Sequence, residues 1–283
     1  MAPPRKRSLG LALALLLLIV SLVAGAPPAA AGPISPKPPH SPNAEDINTL
    51  YWIGLVAIVL LITAVNVALL YAVRRYRADR GAEPRQVRSG RGIQLRAGAA
   101  LGLLALVLFV LSIVYTEKAR EAPPTGPNGL QASSTLLAQR SLKLPPAGDP
   151  APLRIDTTGQ QWLWRYDYPN GAFSYYRLVV PVDTTVVLDL LSTDVVHTWY
   201  VPELAGKFDA VPGKINHVYF RADEEGTYFG DAATFSGASY AAMRTEVKVV
   251  SPDEYQSYIE QQKRDIDAAQ QHVIEELKGG TAP

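Results

Sequence analysis

Hydrophobic and polar positions divide the chain into successive regimes. Residues 9–24 form an apolar run behind Arg5, Lys6 and Arg7, with Ala29, Ala30, Ala31 and Gly32 after it. A basic start, a short apolar centre and small residues follow the order of a secretory signal peptide, expected over residues 1–32. A retained membrane helix is the alternative. Residues 33–49 are Pro-rich and are expected to lie outside the membrane. Residues 50–73 and 97–115 are apolar stretches, and about 20 such residues cross a bilayer as a helix. Tyr51 and Trp52 open the first, and Tyr71 and Tyr76 close it, as in an interfacial aromatic belt. A two-helix transmembrane hairpin is expected over 50–116.

From residue 117 to 152 the apolar pattern lapses and prolines recur, which marks a linker; residues 136–144 within it predict a short helix. Beyond it, short runs rich in β-branched and aromatic residues alternate with turn signals. Strands are expected at 153–158, 162–167, 174–181, 185–191, 197–201, 214–222, 226–230 and 245–250. Pro169-Asn170-Gly171, Pro212-Gly213 and Glu225-Gly226 separate some of them. Such a density of short strands predicts an antiparallel β-sandwich over 153–250. In Ser251-Pro252-Asp253-Glu254 the serine suits an N-cap, the proline the first helical position, and the glutamate a capping box. A charged helix to about 277 and a tail are expected over 251–283. His40, beside prolines, and His272, on this helix, read as solvated.

Charge gives the hairpin its orientation. The net charge is only +1, which predicts no nucleic-acid partner, but its distribution is uneven. Arg74, Arg75, Arg77, Arg80, Arg85, Arg88, Arg91 and Arg96 crowd between the two apolar runs, against Asp79 and Glu83. A short basic loop between spans lies on the cytoplasmic side, so the sandwich is expected outside. The arginines lack the interleaved aromatics of a nucleic-acid surface. The span centres hold no ionisable residue, which excludes an intramembrane proton relay on this chain. Asn66, in mid-span, predicts a helix–helix contact.

The sequence contains no cysteine. That excludes a disulfide framework, a thiolate zinc site and a thiol nucleophile, and with them thiolate-ligated copper. Yet His197 lies in D-V-V-H-T-W-Y-V-P, and 230–243 reads G-D-A-A-T-F-S-G-A-S-Y-A-A-M. One histidine followed by a small-residue loop ending in methionine is the ligand layout of a copper-binding β-sandwich. No Ser–His–Asp set, phosphate-binding glycine loop or paired histidine ligands are visible.

Residues 193–213, the Q-W-L-W-R-Y-D-Y-P run at 161–169 and the 230–243 loop resemble subunit II of the haem–copper respiratory oxidases. The resemblance extends from about residue 48 to 259 and implies a cupredoxin fold for the sandwich. In that family the loop supplies two Cys, a Glu carbonyl, a His and a Met to a dinuclear copper centre, CuA. Aligned on Gly230, Gly237 and Met243, the Cys positions fall on Ala232 and Ser236, the Glu position on Thr234 and the loop His on Tyr240; His197 and Met243 remain. This is similar to the quinol-oxidase branch, which keeps the fold without the copper. The resemblance thus implies no cofactor on this chain, and haem and CuB in a partner subunit I. Subunit III, membrane lipid and quinol are the other implied partners, in a bacterial plasma membrane.

Trp162 matches the position of electron entry from cytochrome c in copper-bearing relatives. Trp162 and Trp164, on alternate positions, are expected on one face of a strand. Asp194, Glu203 and Asp209, with Lys207, flank His197 where the family meets subunit I. The chain is therefore expected to be a non-catalytic subunit II of a quinol-oxidising, proton-translocating oxidase. A nitric oxide reductase-type complex, a cytochrome-fed oxidase, and a structural or copper-delivery module are the rival readings.

Overall fold

The computed structural model describes residues 35–77, 90–130 and 151–279. The expected signal peptide, the centre of the arginine-rich loop and the 136–144 helix lie outside the described residues. The chain divides into two compact units.

The first unit carries the apolar helices α1, Pro42–Arg75, and α2, Arg91–Lys118. Both are long and apolar enough to cross a membrane. α1 begins earlier than the apolar run, and its first residues, to Ile47, belong to the second unit. The Ser41 hydroxyl accepts from the Ala44 amide at 3.1 Å, with Pro42 in the first turn. This is a capped start written in polar residues, outside the hydrophobic pattern. Asn66 Nδ2 donates to the Ile62 carbonyl at 2.8 Å, within its own helix, which leaves its Oδ1 and second N–H for the expected helix–helix contact. An amide in an apolar segment can satisfy its donor on the preceding turn.

The second unit is a two-sheet sandwich. Its strands are β1 Leu153–Gln160, β2 Leu163–Asp167, β3 Phe173–Tyr175, β4 Arg177–Pro181, β5 Thr185–Ser192, β6 His197–Tyr200, β7 Lys207–Ala210, β8 Asn216–Arg221, β9 Gly226–Ala232 and β10 Arg244–Val250. One sheet has the order β3-β2-β1-β5-β8 and the other β4-β10-β9-β6-β7. Two hydrophobic helices followed by a cupredoxin-like sandwich is the fold class expected from the sequence.

The expectation of a purely antiparallel sandwich is corrected. β1 pairs with β5 in parallel, and β4 with β10 in parallel. Alternation along a strand reports which face is buried, not the direction of its neighbour. The run expected as one strand at 174–181 is two, in different sheets. Tyr176 divides them with φ of 65°, a left-handed conformation that breaks a strand. β7 was not expected; it is four residues without clear alternation, paired with β6 from His197↔Ala210 to Tyr200↔Lys207.

The core between the sheets holds Ile155, Trp164, Tyr166, Leu188, Trp199, Phe220 and Met243, all fully or almost fully buried. Trp199 stacks on Phe220 with centroids 6.0 Å apart. Tyr166, from β2, reaches the opposite sheet. Its oxygen accepts from Trp199 Nε1 at 3.1 Å and its proton goes to Thr245 Oγ1 at 2.5 Å. Thr245 then donates to the Tyr176 carbonyl at 3.3 Å. Burial raises the Tyr166 hydroxyl far above the ordinary tyrosine range, so it stays a neutral donor.

Helix α3, Pro252–Gly279, lays Tyr255 and Ile259 against this core. The Ser251 hydroxyl caps it, accepting from the Glu254 amide at 3.2 Å. The Glu254 carboxylate instead takes Lys248 Nζ at 2.9 Å. His272 is exposed, as expected. His40 is not merely solvated: its amide donates to the Glu203 carbonyl at 2.8 Å and its carbonyl accepts from the Asp223 amide at 3.0 Å. Its ring lies 5.1 Å from that of Tyr228.

Replacing Tyr166 by Phe leaves the Trp199 N–H buried without an acceptor. Thermal or denaturant unfolding of the detergent-solubilised chain should show a loss of about 1–3 kcal/mol. Unchanged stability would mean that water or another acceptor replaces the phenol.

Candidate functional site

The residues around His197 come from three strands and a loop. β6 starts at His197, and its side chain is fully buried. Gly159 of β1 makes the room: a Cβ there would lie 3.0 Å from the Trp164 ring and 3.2 Å from His197 Cδ2. Trp164 meets His197 edge-on, with centroids 6.1 Å apart at 70°. Met243, immediately before β10, is buried, as are Ala232 at the end of β9 and Ser236 in the loop.

Asp194 holds the imidazole. Its Oδ1 lies 2.8 Å from His197 Nε2. Partial burial pushes the Asp194 carboxyl up. The amides of Gln161 and Val195 and the His197 ring outweigh that and bring it down to about 2. The carboxylate is thus ionised at neutral pH and accepts the Nε2–H proton. That leaves the lone pair on Nδ1, which is buried and has no hydrogen-bond partner among the described residues. A carboxylate fixing the tautomer of a buried histidine is the arrangement that prepares imidazole as a metal ligand.

The 233–243 loop is tied down by hydrogen bonds. The Ser236 carbonyl accepts from Gln161 Nε2 at 2.8 Å and from Trp162 Nε1 at 3.1 Å. Gly237 follows with φ of 112°, and a Cβ there would lie 2.8 Å from Gln161 Nε2; both favour glycine. The Thr198 hydroxyl lies 2.5 Å from Thr234 Oγ1 and 2.6 Å from Asp209 Oδ1. Having one proton, it donates to the carboxylate and accepts from Thr234. The Ala232 amide donates to the Met243 carbonyl at 2.9 Å, closing the loop at its base. Tyr240, in a 3-10 turn at Tyr240–Ala242, packs its ring 5.3 Å from that of Phe235.

The structure therefore brings His197, Asp194, Ala232, Ser236 and Met243 to one end of the sandwich, with Thr234 and Asp209 joined through Thr198. Glu203 lies elsewhere, its carbonyl receiving the His40 amide. The expectation for the tryptophans is corrected: Trp164 is core, whereas Trp162 precedes β2 and is 37% exposed. Gln161, Thr198 and Gly159 escaped the sequence reading. Gln161 and Thr198 carried a signal, as members of the Q-W-L-W-R-Y-D-Y-P and D-V-V-H-T-W-Y-V-P runs; Gly159 carried none.

The donor set does not fit dinuclear copper. His197 Nδ1 and Met243 offer an imidazole and a thioether, but Ala232 has no ligating atom and Ser236 a hydroxyl, and no thiolate exists in the chain. Ser236 Oγ is itself buried without a partner among the described residues.

The Asp194–His197 contact has a pH signature. The folded-state value of about 2 lies below the ordinary carboxylate value of about 3.9. Its contribution to stability is therefore complete above about pH 4 and lost as pH falls through about 2. Asp194→Asn should lower the unfolding midpoint at neutral pH, and the gap to the wild type should close towards pH 2. A gap independent of pH would show that the carboxylate charge contributes nothing.

Residues 172–250 match the family described as cytochrome C oxidase subunit II, periplasmic domain. The chain is 27% identical over 266 residues to cytochrome c oxidase subunit 2 of Cereibacter sphaeroides, covering 80% of this chain and 78% of that one. It is 24% identical over 229 residues to ubiquinol oxidase subunit 2 of Acetobacter aceti, covering 80% and 68%. Among solved structures it is similar to the periplasmic domain of subunit II of cytochrome oxidase of Bradyrhizobium japonicum. The identity there is 28%, the coverage 40% of this chain and 94% of that one, and the TM-score 0.39. Over 80% of its length the chain is similar to subunit II of cytochrome c and ubiquinol oxidases, and residues 172–250 match the periplasmic domain of that family.

Proposed function

We propose that this chain is subunit II of a proton-translocating oxidase that lacks CuA and draws its electrons from a quinol. One observation carries the reading. The loop that would need two thiolates has Ala232 and Ser236 in their place, and no cysteine stands anywhere in the sequence. Without thiolates there is no dinuclear copper to receive electrons from cytochrome c. The similarity to a protein named ubiquinol oxidase subunit 2 supports the same donor. Haem, CuB and O2 reduction then belong to subunit I, with subunit III as a further partner, in a bacterial plasma membrane. The chain's own part is structural: the 50–116 hairpin docks in the membrane, and the 153–250 domain covers subunit I on the outer side. His197, Ala232, Thr234, Ser236, Tyr240 and Met243 are the degenerate CuA positions. Trp162, Asp194, Glu203 and Asp209 serve as subunit I contacts or vestiges of electron entry.

Donor preference tests this directly. The purified complex should oxidise a quinol rapidly and reduced cytochrome c hardly at all, and it should show no near-infrared CuA band. Fast, copper-dependent cytochrome c oxidation through this subunit would refute the proposal.

Restoring the ligands tests whether the frame survives. The substitutions Ala232→Cys, Thr234→Glu, Ser236→Cys and Tyr240→His leave the loop length unchanged. His197 Nδ1 and Met243 already face the domain interior, buried. Repacking should cost about 1–3 kcal/mol per volume change, offset by copper–thiolate bonds that form only in the folded state. The full chain carrying all four should take up copper and give a mixed-valence electron paramagnetic resonance signal. A folded variant that takes up no copper would show that the loop differs in path as well as in ligands.

A further inference from the structure

Asp209, proposed above as a subunit I contact, also forms part of the wall of an open pocket of about 460 Å³. We infer that this pocket is a socket for a segment of subunit I that carries at least two carboxylates. The inference rests on the chain being an oxidase subunit II and not on which donor supplies the electrons.

The pocket lies where both sheets end. β7 is the last strand of one sheet and β8 the last of the other. Lys207 and Asp209 line the pocket from β7, Asn216 and His217 from β8, Lys214 from the turn between them, and Arg120 from outside the sandwich strands. Asn216 Nδ2 bridges the two edges by donating to the Asp209 carbonyl at 2.5 Å. The Thr198 hydroxyl, one residue from His197, donates to Asp209 Oδ1 at 2.6 Å. The wall is thus continuous with the Thr234–Thr198–Asp209 relay of the candidate site.

Its charge is unbalanced. Arg120, Lys207 and Lys214 are exposed, and none of the three makes an ion pair among the described residues. Asp209 is the one carboxylate on the wall. Asp189, behind it, is already spent, on Arg154 Nε at 2.5 Å and His217 Nδ1 at 2.7 Å. Three cations against one carboxylate leave two positive charges without a counterpart. Lysine on an open edge also deters stray strand pairing, but Lys214 and Arg120 do not belong to the edge strands.

A partner that covers this wall takes its charges out of water. An apolar or basic surface there would strand the cations, which is strongly unfavourable. Carboxylates placed opposite them would turn the same burial into charge-assisted hydrogen bonds and would fix the register of the two subunits. The cations stand on supports that suit such a register. Asn43 Nδ2 donates to the carbonyls of Ala119 and Glu121, each at 2.9 Å, and clamps the chain on both sides of Arg120. Lys207 is paired opposite Tyr200. The Lys214 amide closes a tight turn on the Val211 carbonyl at 3.2 Å, with Gly213 at φ 73°.

The test uses the purified oxidase complex. A carbodiimide joins an amine directly to a carboxylate in contact with it, and mass spectrometry of the digested complex identifies the joined peptides. The wild type should give cross-links from Lys207 or Lys214 to an Asp or Glu of subunit I. Lys207→Glu with Lys214→Glu should lower the subunit I retained on the tagged chain after a salt wash by about tenfold or more, at an unchanged unfolding midpoint. Lys207→Arg with Lys214→Arg should retain it. The wild-type cross-link decides the matter even where charge reversal impairs folding. No cross-link from either lysine to subunit I overturns the inference, as do cross-links to another subunit alone. A chain that copurifies with no haem-bearing subunit would overturn the oxidase reading itself, and this inference with it.

Discussion

A buried phenol must find both an acceptor and a donor or remain a liability, and the sandwich is arranged around one that does. Tyr166 crosses from its own sheet to the other, where Trp199 and Thr245 supply what its hydroxyl requires. This bond set joins β2 to β6 and β10 through the centre of the core. The same three strands carry Trp164, His197 and, at the foot of β10, Met243. Each lies two residues from its partner in the knot, and two residues along extended chain return to the same face. One layer of the core therefore locks the sheets, and the next layer is the candidate site. Buried His197 and Met243 hold their places because the layer beneath them cannot slide.

That layering explains why part of the architecture was legible and part was not. The apolar runs announced two helices because length and hydrophobicity suffice for that. Alternating strands announced a sandwich for a similar reason. The parallel pairings of β1 with β5 and of β4 with β10 were hidden, since period-2 alternation is blind to the direction of a neighbour. The break at Tyr176 was hidden because a left-handed residue is most often signalled by Gly or Asn, and here it is a tyrosine. The start of α1 at Pro42 was written in a cap and not in the apolar pattern.

The candidate site shows the same division. His197 and the 230–243 loop stood out by residue type and spacing. The residues that hold them did not: Gly159 acts through what it lacks, Gln161 through a bridge to Asp194 and Ser236, and Thr198 through a hydroxyl relay. Such roles depend on which strands become neighbours. A glycine that yields space to an imidazole looks in sequence like any other glycine.

On the proposed reading the loop is a metal site whose donors have changed. A dinuclear centre would cross-link the loop to β6 through metal–ligand bonds. Here the ties are the Ser236 carbonyl under Gln161 and Trp162, the Thr234–Thr198–Asp209 relay, and the Ala232–Met243 backbone bond. Each is a modest contribution, about 0.5–1.5 kcal/mol for a neutral hydrogen bond, but together they reach the two ends and the middle of the loop. Among the described residues around the loop, His197 Nδ1, Ser236 Oγ and Trp164 Nε1 are buried without a hydrogen-bond partner. Unsatisfied polar atoms in a core are costly. On the proposed reading His197 and Ser236 occupy former ligand positions, where hydrogen bonding supports the loop without supplying partners for these two atoms.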